Sequence, residues 1–194
     1  KAVTGSGTST RTVTLSSCSG TGTVAISVAA SSAADTAGNL ASAAGPSTSF
    51  SVDNTAPSLA IGAPSASLTK AGPITYTVTY TGADSVTLAD ADISLSLSGD
   101  SSCSKAVTGS GTSTRTVTLS SCTGDGTVAI SVAASSAADT AGNLAAAAGP
   151  STSFSVDNTA PSLAIGAPSA SLTKAGPITY TVTYTGADSV TLAS

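Results

Sequence analysis

An internal repeat of 104 residues limits the possible folds of this chain more than any other feature of its sequence. An offset of this length aligns Lys1 with Lys105, and the two copies then match to the C-terminus with four differences in 90 pairs. The differences are Ser19/Thr123, Thr21/Asp125, Ser42/Ala146 and Asp90/Ser194, all exchanges that solvent-facing positions accept. A unit of this length is too long for a solenoid repeat but matches one β-sandwich domain, which can bury its own core. The sequence therefore predicts a string of similar domains.

The repeat boundary is predicted at the segment SVDNTAP, where Asn-Thr-Ala-Pro interrupts a strand and Pro stiffens the joint. This segment occurs at residues 51–57 and again at 155–161. With the boundary there, residues 1–54 are the C-terminal part of one repeat, 55–158 a complete repeat, and 159–194 the N-terminal part of the next. Joining the two partial repeats would still leave out a copy of residues 91–104. We interpret the sequence as a window within a longer array.

The composition favours a folded domain and argues against binding to nucleic acid or insertion into a membrane. The net charge is -4 with 8% charged residues, so the chain has no basic field to attract nucleic acid. No apolar run approaches the roughly 20 residues that a membrane span needs, so no membrane insertion is expected in this segment. More than a third of the residues are Ser or Thr, yet 40% are hydrophobic and regularly placed, which favours a folded structure over disorder.

Alternation at period two predicts about seven short strands in each repeat. The clearest is Ile74 to Thr81, in which large apolar residues alternate with threonines. Further strands are predicted at Ile93–Leu97, around Val117 and Leu119, from Val128 to Val132, and at Phe154 and Val156, with weaker candidates at Leu59–Ile61 and Lys105–Thr108. The Ala-rich stretch after Val132 is interrupted by turn residues and is expected to hold at most a short turn. The predicted fold is all-β, a tandem of immunoglobulin-like β-sandwich domains.

The repeat explains the odd number of cysteines, because each full repeat carries two. Cys103 and Cys122 belong to one repeat, and Cys18 is the counterpart of Cys122. A hairpin centred on residues 109–114 would pair Val107 with Thr118, Lys105 with Ser120, and Cys103 with Cys122. A disulfide between these cysteines is predicted, and the partner of Cys18 would lie before Lys1. Oxidation implies an extracellular compartment. The alternative is a pair of buried free thiols.

The ordered series of motifs resembles the bacterial Ig-like repeats of large surface proteins and adhesins. It runs through GPITYTVTYTGADSV, LADADISLSLSG, GTSTRTVTLS, GDGTVAISVAA, the DTAGN turn and the closing VDNTAP, and it covers the whole repeat. The resemblance implies a spacer, stalk or adhesive module and offers no catalytic residues to transfer. The cysteine pair departs from the family, whose repeats usually lack a disulfide.

The chain offers few candidate catalytic residues, because it contains no His and no Glu to act as a general base. Ser67 to Lys70, repeated as Ser171 to Lys174, fits the S-x-x-K spacing of serine acyl-enzymes. That spacing needs a helix to bring Ser and Lys together, whereas Ala-Gly-Pro follows here and a strand comes next. We therefore expect no enzymatic activity.

Calcium is the one cofactor that the sequence suggests, and the fold is not expected to require it. Asp is a hard oxygen ligand, and candidate ligands cluster at one connection and near turns or the repeat boundary. These candidates are Asp84, Asp90, Asp92, Asp139 and Asp157. The alternative is that they are exposed residues of turns and strand edges. Thr75, Thr77, Thr79 and Thr81 could likewise form a hydroxyl array for ice or a sugar, or simply the solvent face of a strand.

Two functions follow from these patterns, both in an extracellular or cell-surface setting. The first is a structural segment of a bacterial surface stalk, fibre or filament, since a spacer needs length and uniformity rather than a unique site. Its partners would be neighbouring repeats and other copies in a filament. The second is an adhesive module that binds a glycan or a protein on a host or prey surface through repeated weak sites. The aromatic residues occupy core positions of the strand pattern, which favours the structural role.

Overall fold

The computed structural model describes residues 1–193, and almost all of its regular structure is β-strand. The strands are, in chain order, β1 (Ala2–Thr4), β2 (Thr12–Thr14), β3 (Gly22–Val24), β4 (Phe50–Val52), β5 (Ser58–Ile61), β6 (Leu68–Thr69), β7 (Ile74–Thr81), β8 (Ser85–Val86), β9 (Ile93–Leu97), β10 (Ser102–Thr108), β11 (Thr114–Thr123), β12 (Gly126–Val132), β13 (Ala137–Ala138), β14 (Phe154–Val156), β15 (Ser162–Ile165) and β16 (Val182–Thr185). One 3-10 turn spans Asp90–Asp92, and residues 1–193 contain no α-helix. The prediction of an all-β fold is confirmed.

Two four-stranded sheets form the centre of the molecule. The first sheet has the order β10-β11-β7-β5 and is antiparallel throughout. The second has the order β6-β14-β12-β9 and is antiparallel except for the parallel pair β6 and β14. Strands β8 and β13 add a two-residue ladder. All of these strands lie between Ser58 and Val156.

The period-two pattern of β7 explains its position in the first sheet. Ile74, Tyr76, Val78 and Tyr80 are buried, while the threonines between them point to the other face. Strand β11 repeats the pattern, and its Val117 lies opposite Tyr76 in the ladder. Every large apolar side chain of this pair of strands therefore reaches the same side of the sheet.

The two sheets share one hydrophobic core. The buried cluster combines residues of β7 and β11 in the first sheet with residues of β9, β12 and β14 in the second. The rings of Tyr76 and Phe154 meet across the sheets with centroids 6.4 Å apart. The Tyr76 hydroxyl donates to the carbonyl oxygen of Thr152 at 2.8 Å, so the polar end of this buried side chain is satisfied.

The predicted register of the β10–β11 hairpin is wrong by one residue over most of its length. Val107 pairs with Val117 and Lys105 with Leu119, where the sequence predicted Thr118 and Ser120. The register shifts between Ser102 and Ser104, so that two residues of β11, Ser121 and Cys122, face Cys103. Ser121 adopts a left-handed backbone conformation with φ 51°. This β-bulge reverses the alternation and turns the Cys122 side chain into the core.

The partial repeats on either side of the two sheets form only small ladders. Strand β1 pairs with β2, β3 with β4, and β15 with β16. Their apolar residues are equivalent to core residues of the complete repeat, but each is exposed or only half-buried. Phe50 is 47% exposed, for example, whereas its counterpart Phe154 is 1% exposed.

Candidate functional site at the junction between repeats

Hydrogen bonds within the segment that joins two repeats fix its local conformation. We use the name joining segment for the residues between β4 and β5 and for their counterparts between β14 and β15. Between β4 and β5, the Asp53 carboxylate accepts a hydrogen bond from the backbone N–H of Thr55 at 2.9 Å. Asp157 makes the same bond to the N–H of Thr159, also at 2.9 Å, at the start of the next repeat. An Asp that bonds the backbone two residues later fixes a local turn. The motif Asp-Asn-Thr therefore sets the direction of the chain as it leaves a repeat.

The preceding repeat holds this segment with the turn that begins β3. The side-chain amide of Asn54 donates to the Gly20 carbonyl at 2.7 Å, and the Asn54 backbone N–H donates to the Thr21 hydroxyl at 3.2 Å. The hydroxyls of Thr21 and Thr55 are 2.8 Å apart. These contacts, together with a hydrogen bond of 3.3 Å from the Thr21 hydroxyl to the Asp53 carboxylate, attach the joining segment to the repeat that it leaves.

The complete repeat makes the same attachment with a different side chain. Asn158 donates through its side-chain amide to the Gly124 carbonyl at 2.8 Å and through its backbone N–H to the Asp125 carboxylate at 2.5 Å. The Thr159 hydroxyl donates to the other Asp125 oxygen at 2.6 Å. These hydrogen bonds, chiefly that from Thr159, lower the pKa of Asp125 from its usual 3.8. The Thr21/Asp125 exchange therefore lies at the junction rather than at an arbitrary surface position.

The following repeat contacts the joining segment through its DTAGN turn. The side-chain amide of Asn143 donates to the carbonyl oxygen of Asp53 at 3.0 Å, although the two residues are 90 positions apart. The same Asn143 donates to the Asp139 carboxylate through its backbone N–H and its side-chain amide, both at 2.8 Å. The side-chain bond is the main cause of a lowered pKa for Asp139. Asn143 is therefore held in place while it reaches the preceding repeat.

A second carboxylate ties the DTAGN turn to its own sandwich. Asp84, in the loop after β7, accepts hydrogen bonds from the Thr140 backbone N–H at 2.7 Å and from the Thr140 hydroxyl at 2.5 Å. A cleft of about 450 Å³ opens between this turn and the joining segment. It is lined by Asp53, Thr55, Ala56, Ser58, Thr81, Gly82, Asp84, Asp139, Thr140 and Ala141.

The five aspartates named as calcium candidates are used by neighbouring hydrogen-bond donors. Asp84, Asp139 and Asp157 accept the bonds described above. Asp90 accepts from the backbone N–H of Val107 at 2.5 Å, and Asp92 from that of Ala89 at 2.9 Å. Among residues 1–193, no three acidic, His or Cys side chains form a group that could hold a metal ion. The counterpart of Asp90, Ser194, lies outside the described residues.

The Cys103–Cys122 disulfide is present at the base of the β10–β11 hairpin, with Cα atoms 4.1 Å apart. Cys122 is buried in the core and Cys103 lies at its margin. Cys18 is a free, exposed thiol. The S-x-x-K segment from Ser67 to Lys70 contains β6, so this spacing does not place Ser and Lys on one face of a helix.

Comparisons with known proteins give no match for this chain, whether with protein-family models, curated proteins or solved structures. Within residues 1–193, no helix is long and apolar enough to cross a membrane. No contact across the junction was predicted from the sequence for Asn54, Asn143 or Asn158. Their repetition within the DTAGN and VDNTAP motifs is the signal that could have identified them.

Proposed function

We propose that this chain is a structural tandem-repeat segment of an extracellular bacterial surface stalk, fibre or filament, built from immunoglobulin-like domains. The observation that carries this proposal is the junction. Asn54 bonds the repeat before the joining segment, and Asn143 of the repeat after it bonds the same segment. A linker held from both sides transmits orientation from one domain to the next, which a spacer requires and a flexible tether does not provide.

The disulfide and the near-identity of the repeats support the same role. A disulfide within each full repeat is typical of proteins from oxidising compartments, which is the basis for the proposed extracellular location. Near-identity of the copies keeps the domain length and the junction asparagines the same along an array. The bacterial surface setting and the immunoglobulin-like classification come from the sequence motifs described above.

The stiffness of the junction tests this proposal. Spin labels at the native Cys18 and at Ser110→Cys would report distances between the two repeats by pulsed electron paramagnetic resonance. We expect a narrow distance distribution that broadens when Asn143→Ala removes the bond to Asp53. Asn39→Ala is the matched control, because Asn39 bonds Asp35 of its own turn within the preceding repeat. A distribution that is broad from the start, and unchanged by Asn143→Ala, would contradict the stalk role.

Adhesion is the second candidate, and the outer face of the first sheet favours it. Thr77 of β7 lies opposite Thr116 of β11, which in turn lies opposite Thr108 of β10. Thr75 and Thr118 also lie opposite each other on the same face. Such rows of hydroxyls could contact a neutral glycan weakly, with repetition raising the overall affinity. Binding on a glycan array that is lost in Thr77→Val/Thr116→Val but kept in the parent and in the junction variant Asn143→Ala would favour adhesion.

A further inference from the structure

Strand β5 of the complete repeat is an edge of the first sheet, and one of its sides is unpaired. In residues 1–193, β7 is the only strand that pairs with it. The backbone N–H of Gly62 donates to the carbonyl oxygen of Thr77 at 2.8 Å, so alternate residues of β5 bond β7 in the same way. Leu59 and Ile61, which lie between them, direct their backbone N–H and carbonyl groups away from β7. A row of hydrogen-bonding groups therefore faces outward along β5.

The opposite side of the sandwich shows how this fold closes an edge. There, the backbone N–H of Val107 in the edge strand β10 donates to the Asp90 carboxylate at 2.5 Å. The Lys105 side chain of β10 donates to the carbonyl oxygen of Ile93 in β9, an edge of the second sheet. Charged side chains at a sheet edge oppose pairing with another chain. These two edges are therefore protected by side chains of their own repeat.

Strand β5 lacks this protection. The sequence contains no charged residue between Asp53 and Lys70, and β5 itself reads Ser-Leu-Ala-Ile. Leu59 and Ile61 are half-buried at the margin of the core, and Ala60 between them is exposed on the outer face of the sheet. An uncharged edge with outward backbone groups is a template for strand pairing, so the occupant that fits it is another extended strand.

The sequence of β5 is suited to pairing with a second copy of itself. In an antiparallel pair centred on Ala60, Leu59 of one strand lies opposite Ile61 of the other, and the two residues exchange both backbone hydrogen bonds. The same exchange occurs on the other side of the centre. Ala60 then faces its own counterpart, with Cα atoms about 4.5 Å apart, as in other pairs that lack hydrogen bonds. The small methyl side chain of Ala60 accommodates this close approach.

We propose that two copies of this chain associate side by side through antiparallel pairing of their β5 strands, which joins their first sheets into one continuous sheet. Because both copies present the same strand, the contact is symmetric. A single pair of strands this short binds weakly, but the sequence of β5 recurs at Ser162–Ile165, so successive repeats offer the same edge. Repetition raises the overall affinity. This goes beyond the proposed function, which concerns junctions within one chain.

Amide hydrogen exchange of the full chain, followed by NMR at increasing concentration, tests the proposal. All samples carry Cys18→Ser so that the exposed thiol forms no crosslink. Exchange of the Leu59 and Ile61 amides should slow by about tenfold from micromolar to millimolar protein, because amides bonded across the pair exchange only from the free chain. The Ala60 amide already bonds β7 and should not change. This measurement is specific to β5, so association through another surface does not affect it.

Lysine at Ala60 and at its counterpart Ala164 is the variant that removes the pairing. In the proposed pair, two lysines would lie directly opposite each other, and like charges there disfavour strand pairing. Ala60→Lys/Ala164→Lys should therefore keep both outward amides in fast exchange at every concentration. The matched control is Thr77→Lys/Thr181→Lys, which adds the same charge to the same outer face but on the interior strand β7. Ala60 and Thr77 are exposed, so neither change disturbs the core, and the control should behave like the parent.

Exchange of the two outward amides that is independent of concentration in the parent would overturn the proposal. Slowing that persists in the β5 lysine variant would also overturn it. An equal loss of slowing in the control would assign the association to the sheet face and so contradict pairing at the edge. None of these results bears on the stalk role, which depends on the contacts of Asn54 and Asn143 within one chain.

Discussion

The Cys103–Cys122 disulfide closes a loop with a sequence separation of 19 residues across the β10–β11 hairpin. In the chain-entropy model, a crosslink of this span stabilises the folded state by about 3 kcal/mol because it restricts the unfolded chain. We expect Cys103→Ser/Cys122→Ser to lower the free energy of unfolding of the complete repeat by about this amount, measured by urea denaturation. Cys18→Ser is the control and should leave the midpoint unchanged, since Cys18 is exposed and free. Equal stability of the double variant and the parent would contradict this expectation.

Arg115 is a buried cation held by backbone oxygens. Its guanidinium donates to the carbonyls of Gly111, Thr114 and Val86 at 2.8, 2.9 and 3.0 Å, and so ties the hairpin tip to β8. Lysine keeps the charge but lacks the planar fork that reaches several acceptors at once. We expect Arg115→Lys to destabilise the repeat by about 2 kcal/mol in thermal or urea unfolding.

Arg11 gives the matched control for this change. It is the counterpart of Arg115 but is exposed, and within residues 1–193 its guanidinium bonds only the adjacent Thr10 carbonyl. Arg11→Lys should therefore leave the unfolding of the complete repeat unchanged. Similar losses in both variants would mean that the effect is not specific to the buried guanidinium.

Among the secondary structure elements, the strands with strong alternation were predictable from sequence and the short ones were not. Strands β7 and β9 have the predicted bounds because alternation fixes both their period and the face that they bury. Strands β6, β8 and β13 have two residues each, too few for a periodic pattern. The hairpin register was missed because nothing in the sequence marks Ser121 as a residue with positive φ, a conformation usually found at Gly.

The β-bulge in β11 requires a positive φ at Ser121, so the stability of the repeat should depend on the residue at this position. A left-handed backbone suits Gly and strongly disfavours a β-branched residue. We expect Ser121→Val to lower the free energy of unfolding by about 1–2 kcal/mol, and Ser121→Gly to be neutral or slightly stabilising. Ser17 has the same conformation, with φ 54°, but lies in the partial repeat formed by residues 1–54. Ser17→Val should therefore leave the central sandwich unchanged, and a loss as large as that of Ser121→Val would refute the assignment to the bulge.

For the molecule as a whole, the repeat length follows directly from the sequence and the repeat boundary stays a prediction, but the hydrogen bonds of the junction could not be derived from the sequence. The motif Asp-Asn-Thr-Ala-Pro indicated a joint, yet its contacts join residues far apart in the chain, such as Asn143 and Asp53. The Thr21/Asp125 exchange was interpreted as a solvent-facing substitution because its hydrogen-bond partners become visible only when the turn meets the joining segment. The aspartates considered for calcium accept hydrogen bonds from nearby backbone and side-chain groups, and calcium binding at them stays a prediction.

The two junctions should respond differently to acid because one is held by a carboxylate and the other by a hydroxyl. Hydrogen bonds from Thr159 and Asn158 lower the pKa of Asp125 below 3.8. A lowered carboxyl pKa stabilises the folded contact above the unfolded pKa, and this stabilisation is lost as pH falls through the folded pKa. The attachment of Asn158 should therefore loosen below about pH 3.8, while that of Asn54 to the neutral Thr21 persists.

Amide chemical shifts of Asn158 and Asn54, followed by NMR from neutral to strongly acidic pH, would measure this difference within one molecule. We expect the Asn158 amide to titrate with Asp125, and the Asn54 amide, which bonds the Thr21 hydroxyl, to show no matching step. Asp125→Thr copies the natural residue of the other junction and should make Asn158 behave like Asn54. Identical titration of both amides in the parent chain would show that Asp125 does not control its junction, and that the exchange at this position leaves the acid response of the array unchanged.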